Sequence, residues 1–126
     1  MKVLNIVGTA YRATLEEQDD PVIWMIHAMT GAGAEQALLL RGNAVNYCVA
    51  AQGVEPLSFG ARRQGQSPQL AEQIGSLATK RVEVLVSQDC LDERGIGRDE
   101  LVAGIKTLRR AELPQVMKRF DQVWHW

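Results

Sequence analysis

Val82-Glu83-Val84-Leu85-Val86-Ser87-Gln88-Asp89-Cys90-Leu91-Asp92-Glu93-Arg94-Gly95 opens as an apolar run and turns polar without a break. A nearly continuous run of Val and Leu suits a strand covered on both faces, as in a parallel sheet. Such a strand needs neighbours, and the chain supplies them upstream. Val3, Leu4, Ile6 and Val7 form a first strand ended by Gly8. Ala37, Leu38, Leu39 and Leu40 form a second, stopped by Arg41-Gly42-Asn43.

Helical patterns separate these runs. Asp20-Pro21 reads as an N-cap with proline at the first helical position, where its missing N–H costs nothing. Val22, Met25, Ile26 and Met29 follow at helical spacing, and Gly31 and Gly33 close the segment. Thr14-x-x-Glu17 offers an earlier capping box. Ala44, Val45, Cys48 and Ala51 suit a small second helix, and residues 53–66 read as a long surface loop. Ser67-Pro68 repeats the cap signal ahead of Leu70, Ile74 and Leu77. Downstream the pattern predicts a short helix over 99–105, a minimal strand at 106–108, a helix from Leu113 to Phe120 and a last strand over 122–126. Strands alternating with helices imply right-handed crossovers. The expectation is one α/β domain over 1–126: three layers, α/β/α, with a mostly parallel sheet of about five strands. Strand order does not follow from the pattern.

Composition removes several classes of function. A chain of 126 residues is long enough for one unstapled core. The net charge is −1, with basic pairs such as Arg62-Arg63 and Arg109-Arg110 scattered at element ends. They read as solvated ends rather than a nucleic-acid track. No apolar run approaches the length of a membrane span. The opening residues 1–8 are too short in apolar character for a signal peptide and are broken by Asn5. The expected location is therefore the cytoplasm, with both cysteines, Cys48 and Cys90, reduced. The Gly-Lys-Ser/Thr of a phosphate loop is missing, and Gly31-Ala32-Gly33 precedes a strand instead of following one. His27, His125, Cys48 and Cys90 lack metal-site spacing, so neither metal nor cofactor is expected.

In open α/β sheets ligands bind beyond the carboxyl ends of the strands. That rule selects three polar stretches, 9–14, 41–46 and 87–95. They offer Arg12, Arg41, Asn43, Ser87 and Gly95 as binding positions. Within them the one nucleophile with a chemical case is Cys90. Backbone amides at the start of a helical turn favour a thiolate, and Arg94 stands one turn further on. Asp89, Asp92 and Glu93 oppose that effect, so an inert loop cysteine fits the spacing equally well. Cys48 shares an apolar stripe with Ala44, Val45 and Ala51 and reads as packing.

The run from Val82 to Arg94-Gly95-Ile96, followed by Asp99-Glu100-Leu101 and Gly104-Ile105, resembles the DsrE/DsrF-like sulfur-relay superfamily. The similarity extends to the opening strand, the Leu40-Arg41-Gly42-Asn43-Ala44 turn and the closing helix and strand. The resemblance implies a small α/β domain assembled into homotrimers or hexamers. In several such proteins sulfur is relayed as a cysteine persulfide between donor and acceptor proteins. The usual relay cysteine stands eight residues before the Gly of Arg-Gly, which is Ser87 here, and a second cysteine of some members matches Cys90. Two readings follow. In one, Cys90 is the nucleophile of a sulfurtransferase-like carrier, helped by Arg94, with Arg12 or Arg41 closing the pocket. In the other, the protein is a non-catalytic oligomeric adaptor that has lost the relay position.

Overall fold

The computed structural model describes residues 1–10, 19–65 and 67–126. Five parallel strands form the main sheet: β1 (Lys2–Val7), β2 (Glu35–Leu40), β5 (Glu83–Ser87), β6 (Lys106–Leu108) and β7 (Gln122–His125). Their order is β6-β5-β2-β1-β7. Side chains alternate across it, as strand geometry requires. Val7, Leu38, Leu40, Val84 and Val86 pack on one side, beneath helices α1 (Pro21–Gly31) and α2 (Leu70–Thr79). Leu4, Ile6, Leu39, Leu85 and Leu108 pack on the other, against Leu113 and Val116 of α4 (Leu113–Met117) and the following Phe120. This is the expected three-layer α/β/α arrangement.

Buried polar side chains fix its joints. Asp20 is fully buried, and its Oδ1 accepts from the N–H groups of Val22 (2.8 Å) and Ile23 (3.2 Å). Its Oδ2 accepts from the Tyr47 hydroxyl at 2.7 Å. The cap that starts α1 therefore also ties it to the segment after β2. Asn5, the polar residue inside the first apolar run, donates to Gln36 Oε1 (3.1 Å) and accepts from Trp126 Nε1 (3.2 Å). Its amide ties β1 to β2 and to Trp126, the residue after β7, which explains why a buried strand tolerates it.

Several segments depart from the sequence pattern; helix α2 starts at Leu70 behind Gln69, which makes no side-chain cap bond, and not behind Ser67-Pro68. The second helix is a 3-10 helix over Gly42–Cys48, set by Gly42 at φ +55°. The loop at 53–66 contains a small antiparallel hairpin, β3 (Ser58–Phe59) with β4 (Arg62–Arg63), turning at Gly60 with φ +60°. The helix expected over 99–105 is absent. Only a 3-10 turn forms at Arg98–Glu100. Backbone bonds from Ala50 N–H to Glu100 O (2.9 Å) and from Val102 N–H to Cys48 O (2.8 Å) then hold the chain extended. Gly104 follows at φ +87°, a conformation no right-handed helix contains. Among the described residues, no helix is long and apolar enough to cross a membrane.

Candidate functional site

Strand β5 runs directly into helix α3 (Gln88–Glu93), with Ser87 as the N-cap. The Ser87 hydroxyl oxygen accepts from the Cys90 N–H at 3.2 Å. That amide is therefore not free to serve the thiol. The sulfur is instead met from the end of β2, where Gly42 N–H donates to Cys90 Sγ at 3.2 Å. Gly42 is irreplaceable in this pose. Its φ is +55°, and a Cβ there would stand 2.9 Å from the Gly8 carbonyl oxygen.

Arg94 positions this contact without touching the sulfur. Its Nη1 donates to the Cys90 carbonyl oxygen (3.2 Å) and its Nη2 to Asn43 Oδ1 (2.7 Å). The guanidinium thus fastens α3 to the turn that presents Gly42. Gly95, at φ +66°, ends α3. Its N–H bonds to Asp92 O at 3.1 Å, and Ile96 N–H bonds to Leu91 O at 3.0 Å. This is a Schellman stop, completed by Ile96 packing into the same core as Leu91. The acidic residues of the segment are each engaged. Asp89 Oδ2 accepts from Arg110 N–H (2.8 Å), Asp92 Oδ1 from Gln88 Nε2 (2.7 Å), and Glu93 pairs with Arg94 at 3.5 Å.

A cavity of about 30 Å³ opens beside the thiol. Leu39, Leu108 and Leu113 form its apolar wall. Ser87 and Cys90 line it with Arg41, Arg109 and Arg110. Cys90 is only 7% exposed, so the thiol sits within the pocket rather than out at its edge. Cys48 is fully buried, and desolvation pushes its thiol pKa up to about 12. It is a packing residue with no thiolate at neutral pH. Wider space exists in a groove of about 430 Å³ between α1 and α2, lined by Trp24 and His27 among others, but no cysteine lies in it.

Ser87, Cys90, Arg94, Gly95, Arg41 and Asn43 therefore converge at the carboxyl ends of β2 and β5. Arg12 lies outside the described residues. Arg109 and Arg110 are additions that the sequence pattern assigned to a solvated element end. The signal for them was the strand at 106–108, because the carboxyl-end rule applies to it as well. The reversal of strand order itself lies between β1 and β7. There Gly8 N–H is bonded to Trp126 O at 3.1 Å.

A five-stranded parallel sheet with helices on both faces sets the fold class. The chain belongs to the DsrE/DsrF-like family, whose sequence model matches residues 1–125. Its fold is similar to that of the ychN protein from E. coli, with a TM-score of 0.73 and 18% identity over 99% of this chain and 98% of that one. It is also similar to MTH1491 from Methanobacterium thermoautotrophicum, a protein of unknown function. There the TM-score is 0.63 and the identity 11%, over 98% of this chain and 96% of that one. No curated protein matches the chain significantly.

Proposed function

We propose that this protein is a sulfurtransferase-like carrier that holds sulfane sulfur as a persulfide on Cys90. The observation that carries the reading is the Gly42 N–H, 3.2 Å from a thiol that lines a cavity at the carboxyl edge of the sheet. The thiolate is the attacking species in persulfide exchange, and the Gly42 N–H is a donor placed to hold the sulfur in the pocket. In the transfer, the Cys90 thiolate attacks the outer sulfur of a donor persulfide. The new Sγ–S bond forms as the donor S–S bond breaks, and the donor leaves as a thiolate. An acceptor thiolate repeats the step on the Cys90 persulfide. Arg94 and Asn43 hold the Gly42 turn in place, and Ser87 caps the helix that carries Cys90.

The proposed setting is the cytoplasm, where thiols stay reduced. The proposed working form is a homotrimer or a hexamer, exchanging sulfur with donor and acceptor proteins. The direct test is incubation of the protein with a persulfide donor followed by peptide mass analysis. Cys90 gains one sulfur atom, and Cys90→Ser abolishes the gain. A wild-type protein that never gains sulfur defeats the carrier reading.

Ser87 favours a second reading. By the family resemblance its position is that of the usual relay cysteine, and here its hydroxyl is an N-cap. A non-catalytic oligomeric adaptor of the same fold would need no more than that.

A further inference from the structure

We propose that the outer edge of β7 pairs antiparallel with the same edge of a second copy of this chain, about a two-fold axis at Trp124. β7 ends the strand order β6-β5-β2-β1-β7, so among the described residues no strand bonds to its outer side. The backbone bonds of Trp126, the residue after β7, tell which groups point that way. Trp126 N–H donates to Ile6 O at 2.9 Å, and Trp126 O accepts from Gly8 N–H at 3.1 Å. Both of its backbone polar groups therefore face β1. Backbone direction alternates along a strand, so Gln122 and Trp124 face β1 as well, while Val123 and His125 turn their N–H and C=O groups outward. An open row of this kind is a template for another strand. The usual protections are missing. Gln122-Val123-Trp124-His125-Trp126 holds no Lys, Arg, Asp, Glu or Pro, whereas the opposite edge strand, β6, begins with the exposed Lys106.

The occupant follows from charge and register. Pairing an edge with itself sets like against like, so a charged edge repels its own copy and an uncharged one is complementary to it. In an antiparallel pair, residues that face the partner strand exchange both of their bonds. Val123 of one copy then pairs with His125 of the other, which uses every outward N–H and C=O of the strand. Trp124 falls on the axis as a non-hydrogen-bonded pair, where Cα atoms stand about 4.5 Å apart and side chains are closest. Opposite residues of an antiparallel pair share one face of the sheet, so the two indoles meet. Each already stands edge-on to Trp126 at 6.4 Å, and the pairing adds cover to Trp126, which is 38% exposed. The edge is short. Alone it buries less than the roughly 1,200 Å² of a stable complex. The contact is therefore concentration-dependent between single chains and firm where several act together between two trimers. The inference adds a two-fold surface to the proposed trimer or hexamer and is independent of the sulfur chemistry.

Two substitutions in the full chain test it, with assembly mass read by light scattering across micromolar concentrations. His125→Pro removes an outward N–H and no bond to β1, and proline is tolerated on a strand edge. Trp124→Cys brings two thiols together on the axis, within the Cα separation of a disulfide, about 4.4–6.8 Å. The expected result is that His125→Pro halves the mass of the assembly and leaves the far-UV circular dichroism spectrum unchanged. Under mild oxidation Trp124→Cys closes a disulfide between the two introduced thiols, identified by peptide mass. Val123→Cys, whose position pairs with His125 and not with itself, gives no such link. An assembly whose mass survives His125→Pro overturns the proposal, as does a folded Trp124→Cys variant that stays unlinked. If His125→Pro fails to fold, the link at position 124 decides alone. A wild type that is trimeric with no larger form overturns the proposal and leaves the trimer standing. A dimer upholds the edge pairing and defeats the trimer and the hexamer, and a monomer at every concentration defeats both.

Discussion

The backbone N–H of Gly42 points at the sulfur of Cys90 from 48 residues away in sequence, at 3.2 Å. The contact depends on the close passage of Gly42 over the Gly8 carbonyl, where a Cβ would stand at 2.9 Å. Gly42→Ala therefore meets both a positive φ and a backbone clash. The expected cost is about 1–3 kcal/mol, seen as a lower denaturation midpoint. Sulfur loading of Cys90 falls with it. A variant of wild-type stability would show that the turn relaxes freely and that the N–H contact is incidental.

Arg94 joins the Cys90 carbonyl to Asn43. Arg94→Ala and Asn43→Ala should not be additive, because each removes the same bond. A double-mutant cycle on unfolding free energy is expected to give a coupling of about 1 kcal/mol. Arg94→Lys recovers only part of it, since one ammonium cannot span both acceptors as the planar fork does. Full additivity would remove Arg94 from its positioning role.

The two thiols should react on different scales. Cys48 is fully buried with its thiol pKa pushed up to about 12, whereas Cys90 lines the cavity. Timed alkylation of the folded protein at neutral pH is expected to label Cys90 first. Cys48 becomes reactive only as the chain unfolds globally, so its rate should track denaturant. Faster labelling of Cys48 moves the site away from Cys90.

How much of this was legible depended on the range of the interactions. The start of α1 at Asp20-Pro21 is local chemistry, and sequence reading places it correctly. So do the apolar runs of β1 and β5, because burial on both faces leaves an unmistakable pattern. The segment 99–105 has helical apolar spacing, yet its backbone is held by Cys48 and Ala50, and Gly104 takes positive φ. Those constraints are non-local. The same holds at the site. Ser87, Cys90 and Arg94 are close in sequence and read together. Arg109 and Arg110 join them only because β6 pairs with β5, and the Gly42 contact arises because β2 pairs with β5 as well. Strand order was the missing information.

His27 provides a pH test of the fold away from the cysteine. Burial is the main cause that lowers its pKa below the usual 6.5, with Lys80 adding to it against the Gln73 carbonyl and Asp19. In the native hydrogen-bond network His27 Nε2 meets the Gln73 carbonyl oxygen at 3.0 Å and Nδ1 meets Lys80 Nζ at 3.3 Å. A neutral ring, donating at Nε2 and accepting at Nδ1, satisfies both. A lowered pKa means that the unfolded chain binds more protons than the folded one. The stabilisation is complete above pH 6.5 and is lost as pH falls from there through the folded value. Denaturation midpoints measured across that window should decline on acidification, and His27→Gln should flatten the slope. An unchanged slope in the variant would assign the acid sensitivity to other groups.

Ser87→Cys restores a thiol at the strand end and separates the carrier from the adaptor. Ser87 and Cys90 line the same cavity and sit three residues apart across the start of α3. The substitution weakens the N-cap, because sulfur accepts the Cys90 N–H less well than the hydroxyl oxygen does. A loss of about 0.5–1 kcal/mol is expected. Against that small cost, the pocket gains a second nucleophile. Under a persulfide donor the variant should load more sulfur than wild type, or close a disulfide with Cys90 when oxidised. Either product is read directly by peptide mass. If wild type loads on Cys90 and the variant loads more, one thiol suffices and the second adds capacity. If only the variant loads, the fold is a relay scaffold whose chemistry went with the cysteine at position 87, and the adaptor reading replaces the carrier.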